Sequence, residues 1–443
     1  MIFDEIGVQV PKILLPKDKT DMQRWSVIAC DQYTSDKGYW ERLIQQTEGS
    51  PSTLNLIFPE VYLEDDDADQ RILDINRQMD AYLADGSLEE QRAGFVLIDR
   101  KTTEVESRKG LILALDLEKY DYNKGAQSLI RATEGTILDR LPPRIKVREN
   151  APIELPHIMV LIDDPEQTVI EPLFKQQLES LYDFELLENG GHIKGYRVDQ
   201  PEHIEQIVNA LEKLADPQAY QEKYPGEEAV MLFAMGDGNH SFATAKAIWE
   251  QLKQEAEDKD AIMNHPARYA LVELVNVHDA GLEFEAIHRV LFDVDCDHML
   301  KSMEDFFSSR KTPMTFTACV DLAAAEELSG QAGDAHVFPV VLAGQFGVCK
   351  VNDPEFTLTV ATLQAFMDRY LDENSAVRVD YIHGDQAVTE LGSQANSAGF
   401  YLPSISKHDL FKTIVLDGAL PRKTFSMGEA DEKRFYLECR KIK

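Results

Sequence analysis

Residues 233–246 read FAMGDGNHSFATAK, and the fold class turns on this stretch. Val230–Met235 is apolar at nearly every position, as in a strand covered on both faces. From Ser241 onward, Phe242, Ala245, Ile248, Trp249 and Leu252 recur at helical spacing. Between strand and helix lie Gly236, Asp237, Gly238, Asn239 and His240. The glycines open backbone conformations closed to other residues and let a ligand approach closely. A helix starting here presents unpaired N–H groups and the positive end of its dipole, a setting that suits phosphate. Asp237 is then placed to hold Mg2+, and His240 to donate to a phosphoryl oxygen. A plain glycine turn capped by Asn239 or Ser241 leaves the same signature, and spacing alone favours the turn. The stretch matches neither the Walker loop nor GxGxxG.

Working outward, Trp25–Cys30 is a short apolar run that enters a loop at Asp31. Phe95–Ile98 and Leu111–Leu115 are strand-length, and residues 102–108 between them suit the return of a meander. Pro156–Asp164 and residues 190–200 add strands, and Tyr269–Val277 another. The spacing of Leu173, Leu178 and Leu181 predicts a helix over Thr168–Leu187. Residues 201–224 predict a helix opened by Pro201, with Ile204, Ile207, Val208 and Leu211 on one face. The acidic run Leu63–Gln70 reads as a solvated helix entrance. Toward the C-terminus, Ala335–Val351 predicts a hairpin turning near Gly344, residues 360–373 a helix, and residues 412–418 an extended piece. Strands and helices alternate without a regular βαβ period, so an α+β class is expected rather than a doubly wound sheet. The expected division is a core over residues 1–290 that carries the glycine motif, and an α+β region over 291–443 packing back on it.

The 443 residues are 44% hydrophobic and 28% charged, ordinary for a globular chain of two or three domains. No apolar run reaches the length of a membrane span. The five scattered cysteines form no CxxC pair, which argues against a zinc site or disulfide framework and for a reducing cytoplasm. A net charge of −33 repels nucleic acid and anionic membrane alike. It leaves room for a small anionic ligand in a locally basic pocket, and says nothing about oligomeric state.

Such a pocket has candidates. Residues 131–150 hold Arg131, Arg140, Arg144, Lys146 and Arg148. From Arg140 to Arg148 there are four bases and no acid, an inversion of sign in so acidic a chain. If that segment is extended, Arg144, Lys146 and Arg148 share one face, and arginine forks suit phosphate or carboxylate. Neutralisation of neighbouring acids is the plainer reading for any single one. His288 and Arg289 are adjacent, and Arg422 and Lys423 follow a proline near the C-terminus. Asp31 stands directly after an apolar run, where functional acids often lie. No GxSxG or HExxH occurs, and the histidines have no metal-cage spacing.

The stretches at 25–36, 131–157, 233–246, 285–292 and 420–438 together resemble the domain of unknown function 1015 family over nearly the whole chain. That family's glycine motif usually reads Asp-Gly-His-His-Arg. Here Asp237, Gly238 and His240 match, and Ser241 stands at the place of the arginine. The motif also resembles that of the ParB/sulfiredoxin-like superfamily, which includes a free serine kinase. The resemblance implies a mixed-sheet α+β core with large insertions, and a nucleotide phosphate bound at the strand–loop–helix.

The implied activity is a phosphotransferase on a small-molecule hydroxyl, free L-serine first, with a nucleotide or pyrophosphate donor and Mg2+. Gly236, Gly238, Asn239, His240 and Ser241 would cradle the donor. Arg131, Arg144, Arg148, His288, Arg289 and Lys423 are candidates to neutralise its charge. A carboxylate must take the hydroxyl proton, and Asp31 and Glu134 are the candidates. A nucleotide-binding regulator without turnover, or a phosphatase of a small ester, shares the same site.

Overall fold

The computed structural model describes residues 1–123, 125–136, 138–331 and 333–443. The chain divides into two compact units, one of residues 1–283 with 427–443 and one of residues 284–426. Each mixes helices and strands, so the class is α+β.

In the first unit the described residues build an eleven-stranded sheet. Nine strands run in the order Ser180–Glu185, His192–Val198, Phe95–Lys101, Arg108–Asp116, Tyr269–Asn276, Met159–Ile162, Phe233–Asp237, Ile130–Arg131, Tyr120–Asp121, and Val8–Gln9, paired with Ile2–Phe3, joins Arg108–Asp116 off this path. Phe95–Lys101 and Arg108–Asp116 pair antiparallel, the expected meander. Met159–Ile162 runs parallel to Tyr269–Asn276, and Phe233–Asp237 parallel to Ile130–Arg131. The sheet is therefore mixed.

Both of its faces are covered, which explains strands apolar at every position. Phe95, Leu97, Leu111 and Leu113 face one core with Phe242, Trp249 and the helix Pro201–Leu214. Val96, Ile98, Ile112 and Ala114 face the other, with Trp25, Trp40 and the helix Ala68–Ala84. The acidic run does lead into that last helix.

Three local expectations are corrected. Thr168–Leu187 is not a helix: a short 3-10 turn at Glu171–Lys175 precedes the strand Ser180–Glu185, which pairs with His192–Val198. The three leucines had matched a helical period while the segment was being drawn onto a sheet edge. Residues 201–224 form two helices, Pro201–Leu214 and Pro217–Lys223, because Asp216 caps a new helix opened by Pro217. Residues 412–418 fall largely in the helix Leu410–Asp417, closed by Gly418 at φ +82°.

The second unit has its own sheet, ordered Met314–Ala318, Gln345–Val351, His336–Leu342, Ser397–Phe400, Phe284–Phe292, Arg378–His383. The expected hairpin is present, and Ala343 (φ +48°) and Gly344 (φ +92°) supply the left-handed pair such a two-residue turn requires. The helices Cys296–Ser309 and Thr359–Glu373 share a core with the sheet through Met299, Met303, Phe306, Phe366 and Met367.

Candidate functional site

The strand Phe233–Asp237 pairs antiparallel with Met159–Ile162, and the register slips between Met159 and Val160, opposite the end of the motif strand. The chain then turns at Gly238 (φ +77°, ψ +26°) into the helix Asn239–Glu255. Gly238 is required twice over. The conformation is left-handed, and a Cβ there would stand 3.0 Å from the Ile158 Cα. Gly236 is constrained by space alone, since its Cβ would meet the Met427 side chain at 2.9 Å. Phe242, Ala245 and Trp249 anchor the helix in the core, so its first turn is rigidly placed.

Asp237 closes the strand. Its Oδ1 accepts the Gly238 N–H at 2.8 Å and its Oδ2 lies 3.2 Å from Lys433 Nζ. Desolvation pushes this carboxyl up, but Lys433, the Gly238 N–H and nearby His157 outweigh it and hold it below the ordinary value. Asp237 is thus a carboxylate with both oxygens engaged. The described residues include no group of three His, Cys, Asp or Glu able to hold a metal ion. The donor set does not fit a protein-held Mg2+ on Asp237. Asn239, in the first helical turn, has a buried Oδ1 with no hydrogen-bond partner among the described residues.

Beside the helix start stands His157. Its Nε2 is 3.0 Å from Ser241 Oγ and 3.7 Å from Asp31 Oδ2, and its Nδ1 is 2.6 Å from the Tyr436 hydroxyl. That hydroxyl donates to Cys30 Sγ at 3.0 Å and accepts the Cys30 N–H at 3.3 Å. With its one proton donated to sulfur, the hydroxyl accepts from Nδ1–H, and in that tautomer Nε2 accepts from Ser241. Burial, together with the charges of Asp31 and Glu60, pushes the Cys30 thiol far up, so it stays protonated.

A cavity of about 130 Å³ opens against this cluster. Leu56, Phe58 and Met79 form part of its apolar wall, and Glu60, Arg144, His157, Ser241 and Tyr436 its polar end. Arg144 is ion-paired to Glu60. Burial raises the Glu60 carboxyl above its ordinary value, with Arg144 opposing.

The basic segment corrects another expectation. It is not extended: Pro142 and Pro143 open the helix Leu141–Arg148, so Arg144 and Arg148 share a face and Lys146 does not. Lys146 pairs with Asp69 at 2.5 Å, Arg148 with Glu154 at 2.5 Å, and Arg140 is exposed. Arg148 lines the same cavity as Arg144, whereas Lys146 and Arg140 do not. Arg131 is buried in its strand and donates to the carbonyls of Ser128 (3.0 Å) and Ala229 (2.7 Å). Neither Glu134, which is half-buried, nor Asp31 is among the residues that line the cavity, but Asp31 lies at the His157 cluster.

His288, Arg289 and Lys423 belong to the second unit. His288 accepts the Leu402 N–H at 3.0 Å and pairs with Asp385 at 3.0 Å. Arg289 is fully buried, donates to the carbonyls of Ile287 and Arg422, and stacks on Tyr381. Lys423 is exposed, at φ +55°.

The structure brings the predicted Asp31, Arg144, Asp237 and Ser241 together with His157, Tyr436, Lys433, Glu60 and Cys30, which the sequence reading did not single out. His157 had one signal, its place immediately before the apolar strand, mirroring Asp31 after one. Tyr436 and Lys433 had none beyond lying in a stretch that carried the family resemblance.

No curated protein matches the chain. Among solved structures, a free serine kinase in complex with AMP is 12% identical, with a TM-score of 0.37, covering 75% of this chain and 91% of that one. A conserved hypothetical protein from Pyrococcus furiosus is 11% identical (TM-score 0.35), covering 74% of this chain and 90% of the other. SbnI from Staphylococcus aureus, truncated at its C-terminus, is 10% identical (TM-score 0.34), covering 74% and 82%. Likeness of this size says nothing about activity. The family described as Protein of unknown function (DUF1015) matches residues 12–370, and the chain belongs to that family.

Proposed function

We propose that the protein transfers a phosphoryl group from a nucleotide or pyrophosphate to the hydroxyl of a small metabolite, with free L-serine the first acceptor to test. One observation carries the reading. Where lysine-paired Asp237, Gly238 and the unpartnered Asn239 Oδ1 open a seventeen-residue helix, Ser241 and His157 line a cavity of about 130 Å³, with Asp31 3.7 Å from His157 Nε2.

Phosphoryl transfer asks mainly for positioning and charge stabilisation. N–H groups at Asn239, His240 and Ser241 favour the donor phosphates, as the open end of a helix does generally. Lys433 offsets the negative charge of Asp237, which would otherwise repel them. Arg144, at the polar end of the cavity, supplies further positive charge. Asp31 is favoured over Glu134 to take the acceptor proton because it stands at the cluster. Since Asp237 does not fit a protein-held ion, Mg2+ is expected to arrive with the nucleotide.

The test is incubation with L-serine, MgCl2 and ATP, ADP or pyrophosphate in turn, with phosphoserine read by mass spectrometry. Asp31→Asn should slow product formation by roughly 10²–10⁴-fold, the usual worth of a positioned base. No phosphoserine with any donor removes the serine version. Tight nucleotide binding by calorimetry without turnover across an acceptor panel supports the regulatory reading instead.

A further inference from the structure

We infer that Ser241 is a nucleophile that carries the phosphoryl group covalently before it reaches the acceptor; the inference rests on the phosphotransferase reading above. Four observations support it.

The Ser241 Oγ lies 3.0 Å from His157 Nε2, within direct proton-transfer reach. The ring's other nitrogen is tied to the Tyr436 hydroxyl at 2.6 Å, which donates its own proton to Cys30 Sγ, so Nδ1 is the donor and Nε2 faces Ser241 as the acceptor. The Asp31 carboxylate, 3.7 Å from Nε2, is placed to steady the imidazolium that forms. Finally, Ser241 and His157 both line the cavity, so a donor has access to them. The neighbouring thiol is no rival, because burial keeps Cys30 protonated and its sulfur accepts from Tyr436.

In the first step the Ser241 O–H proton passes to His157 Nε2. The Oγ–P bond forms while the bond from phosphorus to the leaving oxygen breaks. The nucleoside di- or monophosphate, or phosphate from pyrophosphate, leaves with that electron pair. In the second step the acceptor hydroxyl attacks the same phosphorus and its proton goes to Asp31. The bond to Oγ breaks, and His157 returns its proton to Oγ. Each step is a displacement without redox change.

Two measurements on the full chain test this. A fluorophosphonate probe phosphonylates activated serines whatever the natural donor, forming Oγ–P and expelling fluoride. Peptide mapping should find the probe on Ser241 and nowhere in Ser241→Ala. His157→Gln should react at least ~10²-fold more slowly, the lower end of a general base's worth, with circular dichroism matching the parent. No labelling at Ser241, or labelling indifferent to His157, overturns the inference. The second measurement uses γ-labelled ATP with MgCl2 and no acceptor. It should leave one phosphoryl group on Ser241, discharged when L-serine is added. If phosphoserine product forms at the parent rate in Ser241→Ala, transfer is direct. The inference then fails and the phosphotransferase reading stands. If the probe labels Ser241 through His157 but no donor yields product, the nucleophile stands and that reading fails.

Discussion

Gly238 shows how far a single residue constrains the site. Its left-handed φ of +77° and the 3.0 Å approach to Ile158 Cα both exclude a side chain. Gly238→Ala should therefore lose about 1–2 kcal/mol of stability, the cost of a left-handed residue with a Cβ. A urea midpoint equal to the parent's would contradict this. Asp237 offers a sharper electrostatic test. Lys433 at 3.2 Å is the largest influence holding its carboxyl below the ordinary value of 3.8. Lys433→Met removes that cation and leaves the desolvation that raises the pKa. The acid limb of nucleotide binding should then move to higher pH, as followed by calorimetry from pH 3 upward. An unmoved limb would mean that Asp237 does not govern binding. Gly238, Asp237 and Ser241 were legible because the motif is contiguous. His157 was not, because nothing local links it to a serine 84 residues away.

Among elements, the returning C-terminal segment matters most. Residues 427–443 complete the first unit and bring Lys433 and Tyr436 to the site. They are held by buried arginines rather than by apolar contact alone. Arg434 reaches Glu273 at 2.6 Å, Glu438 at 2.5 Å and the Pro156 carbonyl at 3.0 Å. Arg100 and Arg108, from the meander, donate to the carbonyls of Lys433 and Glu432.

Arg434→Met would strand two buried carboxylates, and a broken buried pair costs about 3–5 kcal/mol. Chemical denaturation should show that loss, together with loss of nucleotide binding. A drop below 1 kcal/mol would mean the segment is held otherwise.

Glu154, buried against Arg440 and Arg148, adds a pH signature. Burial pushes its carboxyl up, the two arginines pull it further down, and the folded value lies below the ordinary 4.5. A depressed folded pKa contributes stability that is complete above 4.5 and lost as pH falls through the folded value. Glu154→Gln should accordingly flatten the acid side of the stability–pH curve, measured by urea midpoints from pH 6 to pH 3. The element-scale misreadings share one cause. At residues 180–185 and 412–418 short apolar patterns fitted either period, and the partner strand or capping glycine chose between them.

For the whole molecule, two units with separate sheets and cores set the expectation. In the second, Phe366 is 2% exposed and packs against Phe306 (5.8 Å between ring centres) and Tyr370 (5.4 Å). Phe366→Ala should cost about 3–5 kcal/mol. By hydrogen exchange the loss of protection should fall within residues 284–426. Uniform loss along the chain would mean that the cores unfold as one. The charge of −33 makes its own statement at this scale. Among the described residues no helix is long and apolar enough to cross a membrane.

Composition, charge and local period sufficed for the α+β class, the meander, the hairpin in the second unit and the glycine corner at residues 236–241. These depend on neighbours in sequence, where backbone preference and periodicity act directly. Tertiary structure decided the rest: the sheet order, the helical state of the basic segment, and the meeting of Asp31, His157, Ser241 and Tyr436. That cluster joins four separate parts of the chain. Its members are brought together by burying apolar strands and by pairing buried charges across hundreds of residues, and neither leaves a local mark on the sequence.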